Sequence, residues 1–440
     1  MGKSATSVAD APPDIASTME PLAGVRGAQR PLFNRDFAIA FLAHLTFVYA
    51  NMLLTHYARW VEFIGGSVRD VGWVLGVGGC VALILRPFAG PYIDRLGAHR
   101  IWFVGLLMFG FTLFASISIT SLGPYVYLLR VLMLVGQGLI FTASLTYISQ
   151  SAPAHRQTEA IAIFGAAGFI GMCTAPYLGD VLLGTGDRGK EDFDRLFVTA
   201  AVLLCVGIAL LTCLRSFRKG TATTRLGLRG FVQTVRRHWP GSVLAASLVY
   251  CMVLQVPFAF LASYVDAEGI RGSSVSGVGI FFLAYGGLGL IVRLFTCRVP
   301  DRFGRRRVLV VGLMLVSLGM FSFFLVDSAR LWTVLIPGLI CGSGHALLFP
   351  TTTSLTLASF PLESRGVGAT LSLMVFDSGV MLAAPLFGFV ADSFGFATLF
   401  GLAGTMALAV TVYFGLVNRD MWSSRSGEAG GPLSPAPELR

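Results

Sequence analysis

The residues of this chain that could do chemistry are few, because charged and strongly polar side chains interrupt its long apolar runs at only a handful of positions. Asp377 is the only acidic residue deep inside any of these runs. A carboxyl group in such surroundings is protonated, paired with Arg or His, or exposed to water in a cavity. Each of these states makes Asp377 a candidate proton carrier. Arg130 and His345, which also interrupt apolar runs, are candidates for the same role.

Other polar residues share helical faces. His44, Asn51 and Thr55 span 7 and 11 residues, so on a helix they lie within about 20° of one another. The residues of this polar set could line a pathway. Alternatively, its amide and hydroxyl members could form hydrogen bonds between packed helices, and His44 could lie at a membrane interface. The predicted pathway residues are His44, Asn51, Thr55, Arg130, Gln137, Gln255, His345 and Asp377.

The elements that must position these residues are membrane-spanning helices. Only 13% of the 440 residues are charged and 55% are hydrophobic, with a mean hydropathy of +0.74, whereas soluble proteins carry about 25% charged residues. Runs of about 20 residues can cross the bilayer as helices, and these runs are continuously apolar rather than alternating as barrel strands are. We therefore predict an all-α membrane protein with twelve transmembrane segments in two six-helix halves. The segments cover residues 37–57, 71–92, 101–119, 125–149, 160–182, 196–214, 241–265, 275–297, 308–326, 331–358, 367–390 and 397–417.

The charge distribution predicts the orientation of these segments. If both termini lie on one side, that side holds 23 of the 33 Lys and Arg residues, which is the asymmetry of cytoplasmic loops. We therefore expect both termini in the cytoplasm and the chain in the cell membrane. The net charge of +10 then reflects topology and not a nucleic-acid partner. The seven cysteines form no CxxC pair, so no metal site is predicted.

A polar connection divides the segments six and six. It contains seven basic residues and no acidic one. The predicted organisation is a disordered cytoplasmic arm (1–35), a first half (36–214), the basic central loop (215–239), a second half (240–417) and a disordered tail (418–440). Two halves with the same in-out sense form a parallel repeat, an arrangement typical of transporters.

One charged stretch occurs once in each half. RPFAGPYIDRLGAHR begins at Arg86, and RLFTCRVPDRFGRRR begins 207 positions later at Arg293. Gly97 and Gly304 can take the positive φ that a tight reversal between helices requires. An Asp at a helix boundary can accept backbone N–H groups or pair with Arg in one conformation and release them in another. The stretch therefore has the properties of switching machinery.

These loops resemble the GxxxDRxGRRR signature of the major facilitator superfamily of secondary transporters, and the resemblance extends over residues 36–417. It implies that Asp94 and Arg95 form a cytoplasmic latch that favours the outward-open state. The alternative is that the arginines only anchor the topology. The residues assigned to this gating motif are Arg86, Gly90, Asp94, Arg95, Gly97, Arg100, Arg293, Asp301, Arg302, Gly304 and Arg307.

Two further segments resemble signatures of the same family. Arg130 matches the Arg that begins the signature of the fourth helix. The fifth-helix signature of the family's exporters, GxxxGPxxGG, is matched loosely, with Asp180 in its last place. The matching residues are Gly171, Ala175, Pro176 and Gly179.

The resemblance implies a secondary transporter that moves a small organic solute by alternating access. We expect coupling to protons through Asp377, Arg130 or His345, and export by antiport. The alternatives are a proton-coupled symporter that imports a carboxylate or a sugar, a non-transporting sensor and a channel. The chain contains none of the motifs HExxH, GxSxG or GxxxxGK[ST], so we expect neither an enzyme nor a cofactor. The expected partners are the lipid bilayer, the solute and protons, with the protein as a monomer.

Overall fold

The computed structural model describes residues 34–152, 156–214, 228–296, 299–361 and 364–423. Within these ranges the chain forms long helices, which we number α1 to α12 along the sequence. They cover Arg35–Phe63 (with a 3-10 turn at Leu54–His56), Val68–Leu96, Ala98–Ile117, Pro124–Ser151, Gln157–Leu183, Lys190–Thr212, Ser242–Ala267, Gly277–Thr296, Arg305–Phe321, Leu335–Ala358, 365–394 and 396–417.

The last two helices are joined without a loop. The described residues contain 11 helices that are long and apolar enough to cross a membrane, and one of them, Arg365–Val417, has 53 residues. At 1.5 Å per residue that helix would be about 80 Å long, more than twice the hydrocarbon thickness. Gly395 breaks it with a φ of 82° and a ψ of 166°. Its two arms therefore count as separate spans, which agrees with the predicted twelve.

Local signals in the sequence set the helix ends. The Asn34 side chain accepts a hydrogen bond from the Phe37 backbone N–H at 2.8 Å and so caps α1. Ser67 and Asp70 form a reciprocal capping box at the start of α2. The predicted reversals after α2 and before α9 are confirmed, because Gly97 has a φ of 88° and Gly304 a φ of 89°.

The main departures from the predicted boundaries lie at the edges of the spans. Helix α1 continues to Phe63, six residues beyond the predicted end. The second part of the predicted central loop contains a helix, Leu228–Arg237, and the predicted tail begins with a short helix, Asp420–Ser423. The expected disorder of the N-terminal arm and of most of the tail concerns residues 1–33 and 424–440, which lie outside the described residues.

Helices α3, α6, α9 and α12 lie at the periphery, and their apolar segments contain no charged residue, His, Asn or Gln between their ends. On α3, for example, the exposed side chains recur on one face, at Val104, Leu107, Phe111 and Phe114. Such a face, apolar and exposed, suits contact with lipid. The helices that contact the other half are all among the remaining eight.

Two helix pairs join the halves, α2 with α11 and α5 with α8. A Cβ atom added to Gly72 would lie 2.4 Å from the Ala384 carbonyl oxygen, and one added to Gly286 would lie 2.5 Å from the Cys173 backbone nitrogen. Backbone therefore touches backbone in both pairs. We call the end of the bundle where α1 begins and α12 ends the terminal end, and the end where α2 and α8 begin the opposite end. The backbone contacts lie towards the opposite end.

The same interfaces are wider nearer the terminal end. A Cβ added to Gly165 of α5 would meet only the Nη2 atom of Arg293, 3.8 Å away, and one added to Gly168 would meet no atom within 4 Å. In the other pair, the long side chain of Arg86 bridges α2 to α11. The two halves thus form a wedge that is closed at the opposite end.

Candidate functional site

An ion pair connects the two halves about midway along the helices. Arg86 of α2 binds Asp377 of α11 in a bidentate arrangement, with the Nε to Oδ2 distance at 2.7 Å and the Nη2 to Oδ1 distance at 2.8 Å. The two side chains are 10% and 9% exposed. The structure therefore places Arg86 inside the bundle, 11 residues before Gly97, and not beside the loop motif.

A second polar cluster lies within the C-terminal half. The Tyr250 hydroxyl is 2.6 Å from Nδ1 of His345 and forms a hydrogen bond with it. The imidazole of His345 is ringed by Phe169, Tyr285 and Phe349, with centroid distances of 5.8, 5.8 and 6.0 Å. His345 is thus held in a fixed orientation beside the boundary between the halves, because Phe169 belongs to α5 of the other half.

Arg130 and the predicted polar face of α1 have different surroundings. The guanidinium of Arg130 lies 4.8 Å from the centroid of the Tyr57 ring, and its Nη1 contacts the Met133 sulfur at 3.3 Å. The ring of His44 stacks on Phe164 with a centroid distance of 4.1 Å. Thr55 donates only to the Met52 carbonyl of its own helix. The structure therefore does not bring Arg130, His44 and Asp377 into one hydrogen-bonded group.

Asn51, Gln137 and Gln255 are partly exposed, and the side chains of all three lack hydrogen-bond partners within the described ranges. The alternative that these amides tie helices together therefore has no support in this conformation. The predicted role of these three amides in a pathway stays a prediction.

A buried charge network, which the sequence reasoning missed, closes the opposite end. We call Arg59, Asp180, Arg188, Asp266 and Ser276 the Arg59 network. Arg59 donates a hydrogen bond from Nη1 to Asp180 at 2.9 Å. It also donates to both carboxylate oxygens of Asp266, at 2.9 and 3.0 Å. Arg188 contacts the same Asp266 oxygens at 2.6 and 3.2 Å. Arg59 belongs to the N-terminal half and Asp266 to the C-terminal half, so the network fastens the halves together.

Arg59 is saturated with hydrogen bonds, whereas the buried Nε of Arg188 has no partner among the described residues. Besides the two aspartates, Arg59 donates from Nη1 to Nδ1 of His56 at 2.8 Å and from Nη2 to the Ser276 hydroxyl at 3.0 Å. Each guanidinium nitrogen thus has a partner, and the Arg59 and Asp180 side chains are 1% and 0% exposed. Charges this deeply buried are tolerated only when they are paired in this way.

Asp180 also caps a helix of the other half. Its Oδ2 accepts from the backbone N–H groups of Ser276 and Gly279 at 3.1 and 2.7 Å, at the start of α8. The N-terminus of a helix favours a negative charge, because its first N–H groups are unpaired and its dipole is positive there. The interaction between the halves therefore combines ion pairing with helix capping.

The network was missed because its members lie at the ends of the predicted segments. Segment 1 was predicted to end at 57, two residues before Arg59, and segment 7 at 265, one residue before Asp266. Arg59 and Asp266 are nevertheless 207 positions apart, the spacing of the internal repeat. Opposite charges at equivalent positions of a repeat are the signal that could have identified the pair.

The gating motif contains two acidic residues, Asp94 and Asp301, whose side chains are not among those that the structure describes. Their predicted role as a latch therefore stays a prediction. For Gly90 the structure describes only the helical backbone. Arg95, Arg100 and Arg302 are exposed at the terminal end, and Arg307 donates from Nε to the Met421 carbonyl at 2.6 Å.

The small residues of the α5 motif pack against α1. A Cβ added to Gly171 would lie 2.5 Å from Cγ1 of Val48, and one added to Gly179 would lie 2.3 Å from the His56 ring. The Pro176 carbonyl accepts from Nε2 of His56 at 2.9 Å. Ala175 is fully buried. In this structure the motif permits close packing of α1 and α5 and holds His56 against Arg59.

Two helical halves that are fastened at one end and wedge-shaped around a polar space define a secondary membrane transporter. The comparisons give the family: the model of the Major Facilitator Superfamily matches residues 37–296 and 269–439, and the chain belongs to this family. Among its relatives is the uncharacterized MFS-type transporter YhhS of Escherichia coli, 24% identical over 391 residues, which cover 86% of this chain and 91% of YhhS.

Two other proteins give further comparisons. The putative multidrug resistance protein MdtD of Yersinia pseudotuberculosis is 23% identical over 366 residues, covering 71% of this chain and 77% of MdtD. The crystal structure of the nucleoside transporter NupG superimposes with a TM-score of 0.69 at 16% identity, covering 88% of this chain and 98% of NupG. The likeness to NupG confirms the fold.

Proposed function

We propose that the chain is a proton-coupled exporter that exchanges a small organic solute for protons by alternating access. The observation that carries the proposal is the bidentate ion pair between Arg86 and Asp377, which joins the two halves midway along the helices. It is the ion pair within the described residues that lies deep inside the spans, away from both ends of the bundle.

The pair can couple a proton to a conformational change because protonation and ion pairing compete. When Asp377 takes up a proton, its carboxyl loses the charge that attracts Arg86 and one of its two acceptor sites. Protonation therefore weakens the Arg86 to Asp377 bridge between α2 and α11. This bridge lies where the interface between the halves becomes wider. Both side chains are about one-tenth exposed, so water can deliver the proton.

The membrane orientation is part of the proposal. With both termini in the cytoplasm, as the charge asymmetry predicts, the Arg59 network closes the external side and the wedge opens towards the cytoplasm. The structure would then represent the inward-facing state of a plasma-membrane transporter. In the outward-facing state the Arg59 network must break, and the loop motifs at the terminal end would hold the halves together.

Export is supported by the similarity to MdtD, a putative multidrug resistance protein, and by the exporter-like motif of α5. The direction can be tested with everted membrane vesicles. With a proton gradient, acid inside, an antiporter accumulates a radiolabelled solute, whereas a symporter releases one that has been preloaded. A solute panel of organic acids, sugars and cationic dyes covers the alternatives.

The role of Asp377 is tested by Asp377→Asn in the same vesicles. We expect gradient-driven accumulation to be lost while exchange of labelled for unlabelled solute continues, because only the proton step is removed. The matched control is Asp392→Asn, which changes an exposed aspartate of the same helix and should leave accumulation unchanged. If Asp377→Asn accumulates the solute as the parent does, Asp377 is not the proton carrier.

A further inference from the structure

Two guanidinium groups inside the spans, those of Arg130 and Arg293, have no carboxylate partner among the described residues. Within the described ranges Arg293 of α8 forms no ion pair or hydrogen bond, although it is equivalent in the repeat to the fully paired Arg86. Its contact is with the ring of Phe169, 5.8 Å from the guanidinium carbon. A desolvated cation is costly unless it is paired, so this position favours an anion.

The internal repeat explains what is missing. When α5 and α11 are aligned on Pro176 and Pro385, the position of Asp377 is taken by Gly168. Arg86 and Arg293 thus occupy equivalent positions of the repeat, 207 residues apart, but only Arg86 has a carboxylate on the facing helix. The second bridge between the halves, from α8 to α5, is therefore incomplete in the protein itself.

The surroundings of Arg293 have room for a ligand. Gly165 is exposed, and the space beside Gly168 is open for at least 4 Å, so the two glycines form a notch on α5 that faces Arg293. Arg293 also lies close enough to Tyr250 and His345 to act on both electrostatically. In addition, the buried hydroxyl of Tyr285, next to His345, has no hydrogen-bond partner among the described residues.

The charge balance supports an anion over a cation. Well inside the spans, the described residues include three guanidinium groups and one carboxylate, Asp377. At the opposite end the Arg59 network pairs two arginines with two aspartates, and the carboxyl group of Glu62, whose Oε1 is buried, lies near them. The described interior of the spans therefore carries a positive excess, and a guanidinium binds a carboxylate through two parallel hydrogen bonds.

We propose that Arg293 binds the carboxylate of the transported solute, a small organic acid, within the notch of Gly165 and Gly168 beside Phe169. The bound carboxylate takes the place that Asp377 occupies in the other half and completes the bridge from α8 to α5. This inference rests on the proposed transport function and specifies its substrate class.

The test is an equilibrium binding experiment without a proton gradient, with benzoate as the probe. The melting temperature of the purified full-length protein is followed during titration with benzoate, with neutral benzamide and with cationic benzylamine, since a ligand stabilises according to RT ln(1 + [L]/Kd). We expect benzoate alone to raise the melting temperature. Arg293→Gln should weaken its binding at least about tenfold, because hydrogen bonds to a charged group are lost. Arg293→Lys should have an intermediate effect.

A carboxylate supplied by the protein should exclude the probe. A Cβ at position 165 lies 3.8 Å from the Nη2 atom of Arg293 and touches nothing else, so an aspartate there can reach the guanidinium. Gly165→Asp should therefore abolish stabilisation by benzoate, whereas the isosteric Gly165→Asn, which fills the same space without a negative charge, should weaken it less. Both variants add a side chain at the same exposed position, so their unliganded melting temperatures show whether either has failed to fold.

Several results would overturn the inference: no stabilisation of the parent by benzoate, equal stabilisation by benzamide, or equal benzoate binding by Arg293→Gln and the parent. Its failure is distinct from failure of the proposed function. If benzoate does not bind but another solute is accumulated against a proton gradient, only the inference is wrong. If benzoate binds through Arg293 and no solute is driven by protons, only the coupling is wrong.

Discussion

Replacing Arg59 with Gln should release the closed opposite end of the bundle. The substitution removes both ion pairs of Arg59 and leaves the carboxylate of Asp180, which is fully buried, without a cation. Asp266 keeps Arg188, so the loss is concentrated on Asp180. Removing one partner of a buried pair costs about 3–5 kcal/mol. Because about 1.4 kcal/mol is a factor of ten, the ratio of closed to open molecules should fall at least about 100-fold.

The open state can be measured by cysteine labelling. Thr55 lies one helical turn from Arg59 and is 6% exposed when the end is closed. In a background without the seven native cysteines, a Thr55→Cys variant should react slowly with a membrane-impermeant maleimide applied from the side of the opposite end. Adding Arg59→Gln should raise the labelling rate by at least about 100-fold as long as closed molecules still predominate, the same factor as the change in population.

Two controls separate the network from general effects of removing an arginine. Arg195→Gln removes a guanidinium that is 64% exposed and pairs with Asp192 within its own helix, and it should not change the labelling rate. Asp180→Asn combined with Arg59→Gln should restore slow labelling in part, because no buried carboxylate is then left unpaired. An unchanged labelling rate in Arg59→Gln would refute the assignment of the network as a gate.

Other predictions follow from the backbone contacts. Gly72→Ala places a Cβ 2.4 Å from a carbonyl oxygen of α11, so it should disfavour the closed state by about 1–3 kcal/mol. The reporter cysteine at position 55 should then be labelled faster. Gly366→Ala is the control, because a Cβ there meets no atom within 4 Å, and it should not change the labelling rate. Gly395→Ala forces an L-residue to a φ of 82°, so thermal melting should show a loss of about 1–3 kcal/mol. Gly415→Ala is the control, because Gly415 lies inside α12 with open space around it. It should be neutral or stabilising by up to about 1 kcal/mol, the difference in helix propensity between Gly and Ala. Equal melting temperatures of the two variants would contradict the break between α11 and α12 at Gly395.

The sequence predicted the fold well because apolar length is a direct consequence of the bilayer. Each predicted segment corresponds to one helix, and the reversal glycines take the expected positive φ. These features depend on hydropathy and spacing along one chain, which a single sequence contains. Asp377 and His345 both contact residues of the other half, and their role in a pathway stays a prediction.

The pairing of residues from different halves was not predictable in the same way. Asp377 binds Arg86, which had been assigned to the loop motif, and Arg130 contacts Tyr57 instead of a carboxylate. Which side chains meet depends on the wedge angle between the halves and on helix rotation. A shift of about 100° in helix phase per residue decides whether a guanidinium faces the space or lipid, and hydropathy does not determine that phase.

Departures from the internal symmetry, more than the symmetry itself, mark the functional residues. Equivalent positions of two halves related by a pseudo-twofold axis can face each other across it, and two like charges there would repel. Arg59 and Asp266 pair across the halves because the repeat has diverged to opposite charges at one position. Arg86 and Arg293 have been kept alike, so each needs an anion from the facing helix. One helix supplies Asp377 and the other supplies only Gly168, and this difference leaves one bridge to be formed by the protein and one by a ligand.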